Sequence, residues 1–417
     1  RAIRDVYKRQ RQGSAFVIPQ TLGMLAEVVL PPNQLQWMFD TPDTVLSSTE
    51  SHYDSLHGDY SFLHPIILKD PYHEHVIHRN LVRNLNTIIP GLSDTIPRIV
   101  AEVYGTNTQE WRKLDLLQSF MDTIPTLTNH MLVGESVCHE RKYLDAVLGF
   151  TEDVIRNLGI MFMFPRVLHP LVGFVLSLPP KYHYWICSKY LLPLIKTRIS
   201  DITKKDAGDP EYKDWKEPSD FITWSYRTAQ KEGRYEEMQP ERIAMRVMPL
   251  NFASIHTTAM TAWDALGHIM AAGPDVLQGL REEAHRVQQE EGGWTKQALS
   301  RMHRMDSAIR ESQRMTPLGL TFAARKVVAK QGVTTLDGLH IEYGNQVTCP
   351  WGPIAADAEY IENPDVFDAF RFSRVQEKYG TMSLEEKADF DFLKMKQTGM
   401  VTTAVNHLPF SHGRHAW

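Results

Sequence analysis

Apolar residues recur along most of this chain at the spacing of helices. They return every third or fourth position, the period that places side chains on one helical face. Pro274 follows Gly273 and suits a first helical turn, and Gly292-Gly293 ends the same helix. The pattern predicts helices over residues 32–47, 72–87, 114–130, 143–157, 182–202, 241–271, 274–290 and 295–315.

The pattern changes after residue 320. Residues 321–328 and 338–347 read as short strands around a turn at 336–338. No internal repeat or compositional break marks a linker. We therefore predict a mainly α fold with a small β region, as a single domain over residues 16–417. Residues 1–15 are not placed in any element.

Composition narrows the class of protein. With 42% hydrophobic and 23% charged residues, the 417-residue chain has an ordinary globular composition. Its formal net charge of -5 indicates no nucleic-acid partner. Cys138, Cys187 and Cys349 lie far apart, which argues against a disulfide framework and a structural zinc site. A reducing compartment or a cytosol-facing domain fits this cysteine usage best.

No uninterrupted apolar stretch is long enough for a transmembrane helix. The most apolar region, residues 167–180, is broken by prolines and a glycine. It predicts either a buried helix and loop or a patch that dips into a membrane surface.

The predicted helix 241–271 carries a candidate proton-delivery pair. Ala253, His256 and Thr257 share one face, and the small residues Ala253 and Ser254 leave room for a flat group. A titratable imidazole beside a hydroxyl can deliver protons. The structural alternative is a core histidine next to a threonine that bonds back to its own helix.

Glu311 and Arg314 are three residues apart on the last predicted helix. Such pairs usually lie on the surface and contribute little to stability. Arg371, however, stands between Phe370 and Phe372, where a core position would require a carboxylate. A bridge from Glu311 to both arginines would satisfy all three charges.

Other cations could reach an anionic group. Arg325 lies on the first strand after residue 320, His415 near the end of the chain, and His75 and Arg79 on helix 72–87. Each could equally be an ordinary surface residue. The histidines of helix 72–87 lack the spacing of a zinc site.

Taken in order, these motifs resemble those of a known family. The segment from Phe410 to Ala416 has the spacing Phe-x-x-Gly-x-x-x that precedes the axial cysteine of haem-thiolate enzymes. The chain resembles cytochrome P450 in this segment and in the motifs His256-Thr257, Glu311-x-x-Arg314 and Phe370-Arg371-Phe372. The residues around these motifs are similar to those of the fungal microsomal branch. The resemblance covers roughly residues 16–417, with specific motifs only from residue 251 onward.

The resemblance implies roles for these residues. Thr257 would act in oxygen activation with His256 as a relay, and Ala253 would leave space beside the haem. Glu311, Arg314 and Arg371 would form the structural triad behind the haem. Phe410 and Gly413 would shape the haem loop, Arg325 and His415 would pair with the haem propionates, and His75 or Arg79 would add a further contact.

One residue departs from the family pattern. Trp417 occupies the position of the axial cysteine, and indole is only a hydrogen-bond donor. We therefore expect a partial domain, incomplete at both ends, that retains haem b poorly, with no metal ligand at that position. The resemblance implies a parent monooxygenase that oxidises a lipophilic, secondary-metabolite-type substrate. It would use O₂ and electrons from NADPH–cytochrome P450 reductase, at the cytosolic face of the endoplasmic reticulum membrane.

Two other classes of function remain. A haem-free helical protein that binds an apolar ligand would keep the pocket without the iron. A magnesium-dependent terpene-type cyclase fits the helical content, but the sequence lacks an Asp-Asp-x-x-Asp cluster. The sequence does not identify a substrate.

Overall fold

The computed structural model describes residues 13–19 and 26–416, and shows a mainly helical protein with small sheets. The helices are α1 (Leu35–Asp40), α2 (Ser48–Ser55), α3 (Ile66–Lys69), α4 (Tyr72–Tyr104), α5 (Leu116–Val133), α6 (Glu135–Cys138), α7 (Arg141–Met161), α8 (His169–Leu176), α9 (Leu178–Asp206), α10 (Phe221–Glu232), α11 (Pro240–Ala271), α12 (Pro274–Glu290), α13 (Lys296–Ser300), α14 (His303–Met315), α15 (Trp351–Ala355), α16 (Ser373–Thr381), α17 (Leu384–Ala388) and α18 (Phe392–Lys396). The predicted mainly α fold is confirmed. Residues 1–12, which belong to the segment left unplaced, lie outside the described residues.

The strands are β1 (Phe16–Ile18), β2 (Glu27–Val29), β3 (Leu46–Ser47), β4 (Phe322–Val327), β5 (Val333–Thr334), β6 (His340–Ile341) and β7 (Gln346–Cys349). They form a five-stranded sheet in the order β1-β2-β7-β4-β3 and a two-stranded sheet of β5 and β6. The β2–β7 pair is parallel, and the remaining pairs are antiparallel. Strands from the first 50 residues and strands after residue 320 therefore meet in one sheet.

The chain forms two compact units. The first takes residues up to 55, 261–293 and 297–417, and the second takes 56–260 and 294–296. All the strands lie in the first unit, and α11 contributes residues to each. The expectation of a single domain over 16–417 stays a prediction, because a compact unit is not by itself an independently folding domain.

The core of the first unit packs against the five-stranded sheet. Leu30, Met38, Leu46, Val347 and Trp351 are each at most 1% exposed and belong to one hydrophobic cluster. The β4 and β7 strands supply the centre of this sheet, so the loops that follow them are held on a rigid base.

The second unit is built from helices alone within its described residues. A buried hydrogen-bond chain links three of them, from Tyr143 Oη to Asn129 at 2.8 Å and from Asn129 Nδ2 to Asn251 at 2.8 Å. On another side, buried Asp153 of α7 accepts from Nδ1 of His183 of α9 at 2.7 Å. These polar contacts fix the helices beside the part of α11 that carries His256 and Thr257.

Several predicted elements need correction. The helix predicted over 32–47 ends at Asp40, because Thr41-Pro42 cannot continue it, and Leu46–Ser47 instead pairs with β4. The strand predicted over 338–347 is two strands in different sheets, separated by a turn at Gly344 (φ 85°). The turn at 336–338 joins β5 to β6 and does not involve β4.

The helix predicted over 295–315 is interrupted between α13 and α14. The carboxylate of Glu283, on α12, accepts from the backbone N–H groups of Arg304 (2.8 and 3.0 Å) and Met305 (3.0 Å). A carboxylate at this point satisfies the unpaired donors of a new helix start. The cap comes from a distant residue, so local spacing gave no sign of it.

Residues 163–185 of the second unit present an exposed apolar surface. Val167 is 82% exposed, and none of the large side chains that form this surface is less than half exposed. The buried interpretation of 167–180 is therefore wrong for these side chains. We define this apolar patch by Met163, Val167, Leu171, Phe174, Val175, Leu178, Tyr182 and Trp185. Among the described residues, no helix is both long and apolar enough to span a membrane.

Candidate functional site

Glu311 of α14 is completely buried and lies between two arginines of the first unit. It accepts from Arg314 Nε and Nη2 at 2.9 and 2.8 Å, and from Arg371 Nε at 3.0 Å. The backbone N–H of Asp368 also donates to Glu311, at 3.2 Å. A buried carboxylate needs such compensation, because an isolated charge is very costly away from water.

The two guanidinium groups also hold the neighbouring backbone. Arg314 Nη1 donates to the carbonyl of Ala355 at 2.9 Å, and Arg371 Nη2 donates to that of Val366 at 3.0 Å. Glu311 thereby connects α14 with α15 and with the segment around 362–371. The sequence led us to expect this bridge between the three charges, whereas its role behind a haem stays a prediction.

Arg325 of β4 is a buried cation in the same unit, at 4% exposure. Its Nη1 donates to the carbonyls of Ala323 (3.1 Å) and Ala324 (3.0 Å), and the guanidinium lies 5.7 Å from the ring centroid of Phe39. A register shift between Phe322 and Arg325, with Ala323 at φ 56°, turns this part of the strand. Within residues 13–19 and 26–416, no carboxylate pairs with Arg325. Burial lowers the pKa of this guanidinium.

Imidazole groups stand near Arg325. His52 of α2 keeps an exposed surface, while the protein around its imidazole desolvates it. This desolvation, with the charges of Arg325 and His415 adding to it, lowers the pKa of His52 to about 4. His415 Nε2 lies 2.7 Å from Asp43 Oδ1. Burial lowers the pKa of His415, and Asp43 opposes the effect. We call Arg325, His52 and His415 the Arg325 cluster.

The loop with Phe410 and Gly413 follows the buried Leu408. Gly413 has φ 72°, and an added Cβ would stand 3.8 Å from Phe39 Cβ, so backbone conformation is the reason for glycine here. Arg414 Nη2 donates to the carbonyl of Thr41 at 2.7 Å, which ties the loop to the residues after α1. Phe410 is half-buried, and Trp417 lies outside the described residues.

His256, Thr257 and Ala253 lie on α11 in the second unit. Thr257 Oγ1 donates to the carbonyl of Ala253, the back-bonding expected of a threonine in a helix. Nδ1 of His256 is buried without a hydrogen-bond partner in the described part of the chain. Burial lowers the pKa of His256, and Glu152 partly offsets this. At neutral pH the imidazole is therefore uncharged and able to accept a proton.

His75 and Arg79 of α4 both contact Glu232 of α10. The distances are 2.9 Å from His75 Nε2 and 2.6 Å from Arg79 Nη1 to the same Glu232 oxygen. The two side chains thus already have an anionic partner in the second unit. Their contribution to a cofactor site stays a prediction.

Sequence reasoning missed His52 and the chain from Tyr143 to Asn251. His52 lies in a polar segment with no motif, and only the pairing of β3 with β4 brings α2 near Arg325. Asn129 and Tyr143 looked like ordinary helix residues, and no local signal separates them from others. Among the described residues, no group of three or more potential ligands is arranged to hold a metal ion.

Comparison with known proteins gives a consistent family. The cytochrome P450 family model matches residues 66–416. The chain is 29% identical to the cytochrome P450 monooxygenase gloP of Glarea lozoyensis, over 97% of this chain and 74% of that protein. It is 26% identical to the cytochrome P450 monooxygenase tenB of Beauveria bassiana, over 97% of this chain and 74% of that protein.

Solved structures support the same fold. The crystal structure of the cytochrome P450DA heme domain matches with a TM-score of 0.66 at 13% sequence identity, covering 99% of this chain and 82% of that one. At this identity the likeness concerns the fold alone.

The Glu311 bridge generates a stability prediction. Glu311→Gln removes the negative charge at nearly constant volume and leaves the buried Arg314 and the partly buried Arg371 without their anionic partner. The free energy of unfolding, measured by urea titration, should fall by roughly 3–5 kcal/mol. The exposed Glu282→Gln on α12 is the matched control and should change it by less than about 0.5 kcal/mol. Equal, small effects of both substitutions would contradict the bridge.

Proposed function

The chain belongs to the cytochrome P450 family, and from this premise we propose that it serves the haem-dependent oxidation of a small lipophilic molecule of the secondary-metabolite type. Haem b, when bound, supplies the chemistry that activates O₂ for insertion into an unreactive bond. The electrons would come from NADPH through NADPH–cytochrome P450 reductase.

The observation that carries this proposal is the buried, carboxylate-free Arg325. A guanidinium at 4% exposure is costly unless an anion accompanies it. The neutral imidazole of His52 can donate one further hydrogen bond to the same anion, and His415, which bonds to Asp43, lies close enough to act on His52 and Arg325 electrostatically. The haem propionates are carboxylates, so the Arg325 cluster fits that part of the cofactor. We assign Arg325 and His415 to the propionates and add His52 to them.

Other residues would shape the site and deliver protons. We propose that Phe410 and Gly413 shape the cofactor loop. The small side chain of Ala253 would leave space beside α11 for a flat group. His256 would hold a proton at its imidazole, and the Thr257 hydroxyl would pass it on. The low pKa of His256 supports this role, because a base that remains neutral can take up and release a proton.

The side chain of Trp417 would not serve as a ligand to haem iron, because an indole N–H is only a hydrogen-bond donor. A cysteine at this position would supply a thiolate, which would donate electron density to the iron. We propose that the sequence with Trp417 retains haem poorly and does not catalyse the reaction.

The apolar patch supports contact with a membrane surface. Its residues are exposed, and the segment 163–189 contains three basic residues and no acidic one. Lys189 Nζ lies 3.4 Å from the ring centroid of Trp185 at the edge of the patch. Apolar side chains rimmed by lysine, arginine, tyrosine and tryptophan suit an anionic lipid surface. We propose that this patch rests on the cytosolic face of the endoplasmic reticulum membrane.

Arg325→Met should weaken haem binding. A hydrogen bond to a charged group contributes about 1.5–3 kcal/mol, so the dissociation constant should rise roughly ten- to hundredfold. The measurement is a haem titration followed by absorbance, with thermal melting to verify folding. Arg374→Met, which removes an exposed arginine paired with Asp368, is the control and should leave the affinity unchanged. Unchanged affinity in folded Arg325→Met would refute the assignment.

Trp417→Cys should give the chain a thiolate-type haem spectrum. The variant should give a carbon monoxide difference spectrum typical of thiolate ligation, while the chain with Trp417 should not. Trp417→Ser is the control, because a hydroxyl does not supply a thiolate. Tight binding of an apolar fluorophore by a cooperatively melting chain, with no haem uptake by either protein, would favour the haem-free binding function instead.

The same variant separates proton delivery from haem binding. In Trp417→Cys, the further change Thr257→Val should leave the carbon monoxide spectrum intact and lower oxygen consumption with reductase and NADPH. Thr258→Val, at an exposed position one residue away, should change neither. Equal rates of oxygen consumption by the two variants would contradict a role for Thr257 in the reaction.

Phe174→Ser should weaken binding to lipid vesicles. Burying one large apolar side chain contributes about 1.5–3 kcal/mol, so binding to phosphatidylcholine–phosphatidylserine vesicles should fall about tenfold or more. Cosedimentation measures it. Leu384→Ser, at an 87% exposed position of α17 outside the patch, is the control and should have no effect. Absence of vesicle binding by the unmodified chain would exclude this surface as the contact.

A further inference from the structure

Arg310 of α14 is a further buried arginine in the first unit, at 5% exposure. Its Nη1 donates to the carbonyls of Gly399 and of Thr402, the latter at 3.2 Å. Its Nε–H is buried and has no acceptor among the described residues. Burial lowers the pKa of this guanidinium to about 10, so at neutral pH it still carries its charge and all its protons.

His407 is 3% exposed and its tautomer is fixed. One ring nitrogen bonds to the backbone carbonyl of Met400, and Nε2 is the ring atom without a partner in the described chain. Nδ1 therefore carries the proton, and Nε2 presents a lone pair. Burial first, and then the charge of Arg310, lowers the pKa of His407 well below its ordinary value, which keeps the ring neutral.

Two more buried polar atoms in this region lack partners within residues 13–19 and 26–416. Trp351 of α15 is 1% exposed, and its Nε1–H has no acceptor. Its ring centroid lies 5.6 Å from that of His407, at an interplanar angle of 77°. Gln313 is 8% exposed, has an unpaired Oε1, and lies one helical turn after Arg310 on the same face of α14.

The four atoms match one ligand chemistry. Arg310 Nε–H and Trp351 Nε1–H are donors, while His407 Nε2 and Gln313 Oε1 are acceptors. A water molecule accepts two hydrogen bonds and donates two, and buried waters typically bridge about three otherwise unsatisfied groups. A halide could accept from both donors, but it would repel the lone pairs of the two acceptors.

We propose that Arg310, Gln313, Trp351 and His407 form a binding site for one buried structural water. The water joins α14, α15 and the segment that precedes Leu408, and so it helps to set where the loop with Phe410 and Gly413 begins. Each buried polar group without a hydrogen bond would cost free energy, so the bridging water stabilises the packing of that segment against α14 and α15. This inference does not depend on haem binding.

A crystal structure of the full chain, at a resolution that shows ordered water, tests the site directly. The expected result is one solvent peak within hydrogen-bond distance of at least three of the four atoms. An empty space, direct pairing among the four atoms, or anomalous signal there after a bromide soak would each overturn the proposal.

A double-mutant cycle gives a second test in solution. Gln313→Met and His407→Phe each remove one acceptor at similar volume. If both act through one water, their effects on the unfolding equilibrium constant should be non-additive by about fivefold. The pair of His407→Phe with the exposed Gln278→Met is the control and should be additive. Trp351→Phe replaces His407→Phe if that variant does not fold, and additivity of the site pair would refute a shared ligand.

Discussion

The buried negative charge of Glu311 is the constraint on which the first unit depends. A carboxylate with no exposed surface survives only if cations and donors surround it, and Arg314, Arg371 and the Asp368 backbone do so. Two segments that are distant in sequence, α14 and residues 368–371, must therefore converge on Glu311. The remaining hydrogen bonds of the two guanidinium groups go to backbone carbonyls, so the convergence also fixes where α15 and the segment around 362–371 run.

Arg325, unlike Glu311, is a buried charge that forms no ion pair among the described residues. It is about as buried as Arg314, yet its only protein acceptors among the described residues are carbonyls of its own strand. Carbonyl dipoles do not neutralise a full charge, and the neighbouring His52 and His415 add no negative charge. Arg314 is thus paired with a carboxylate of the fold, whereas Arg325 forms no ion pair among the described residues and feels the charge of Asp43 only at longer range. That difference is why we propose an anionic ligand for Arg325 and a structural role for Arg314.

The sequence correctly predicted the helix bounds that are set by residues near the helix ends. Helix α12 has the predicted bounds Pro274–Glu290, because Gly273, Pro274 and Gly292 mark its ends locally. Helix α4 runs to Tyr104 and not to residue 87, although it contains Pro90 and Pro97. Buried side chains such as Ile88 and Ile99 offset the hydrogen bonds that those prolines remove, and tertiary packing of this kind is not visible in a local pattern.

Some residues of the candidate site could likewise be predicted from the sequence, and others could not. Glu311 and Arg371 could be paired from sequence because an arginine between two phenylalanines requires a carboxylate. His52 could not be found, since its place beside Arg325 depends on the pairing of Leu46–Ser47 with β4, which the sequence misassigned as helix.

The charge balance around Glu311 is complete within the protein itself. Glu311 is neutralised by Arg314 and Arg371, and neither guanidinium requires a cofactor for its hydrogen bonds. The packing of α14 against α15 and the segment around 362–371 therefore rests on charges that the chain supplies itself.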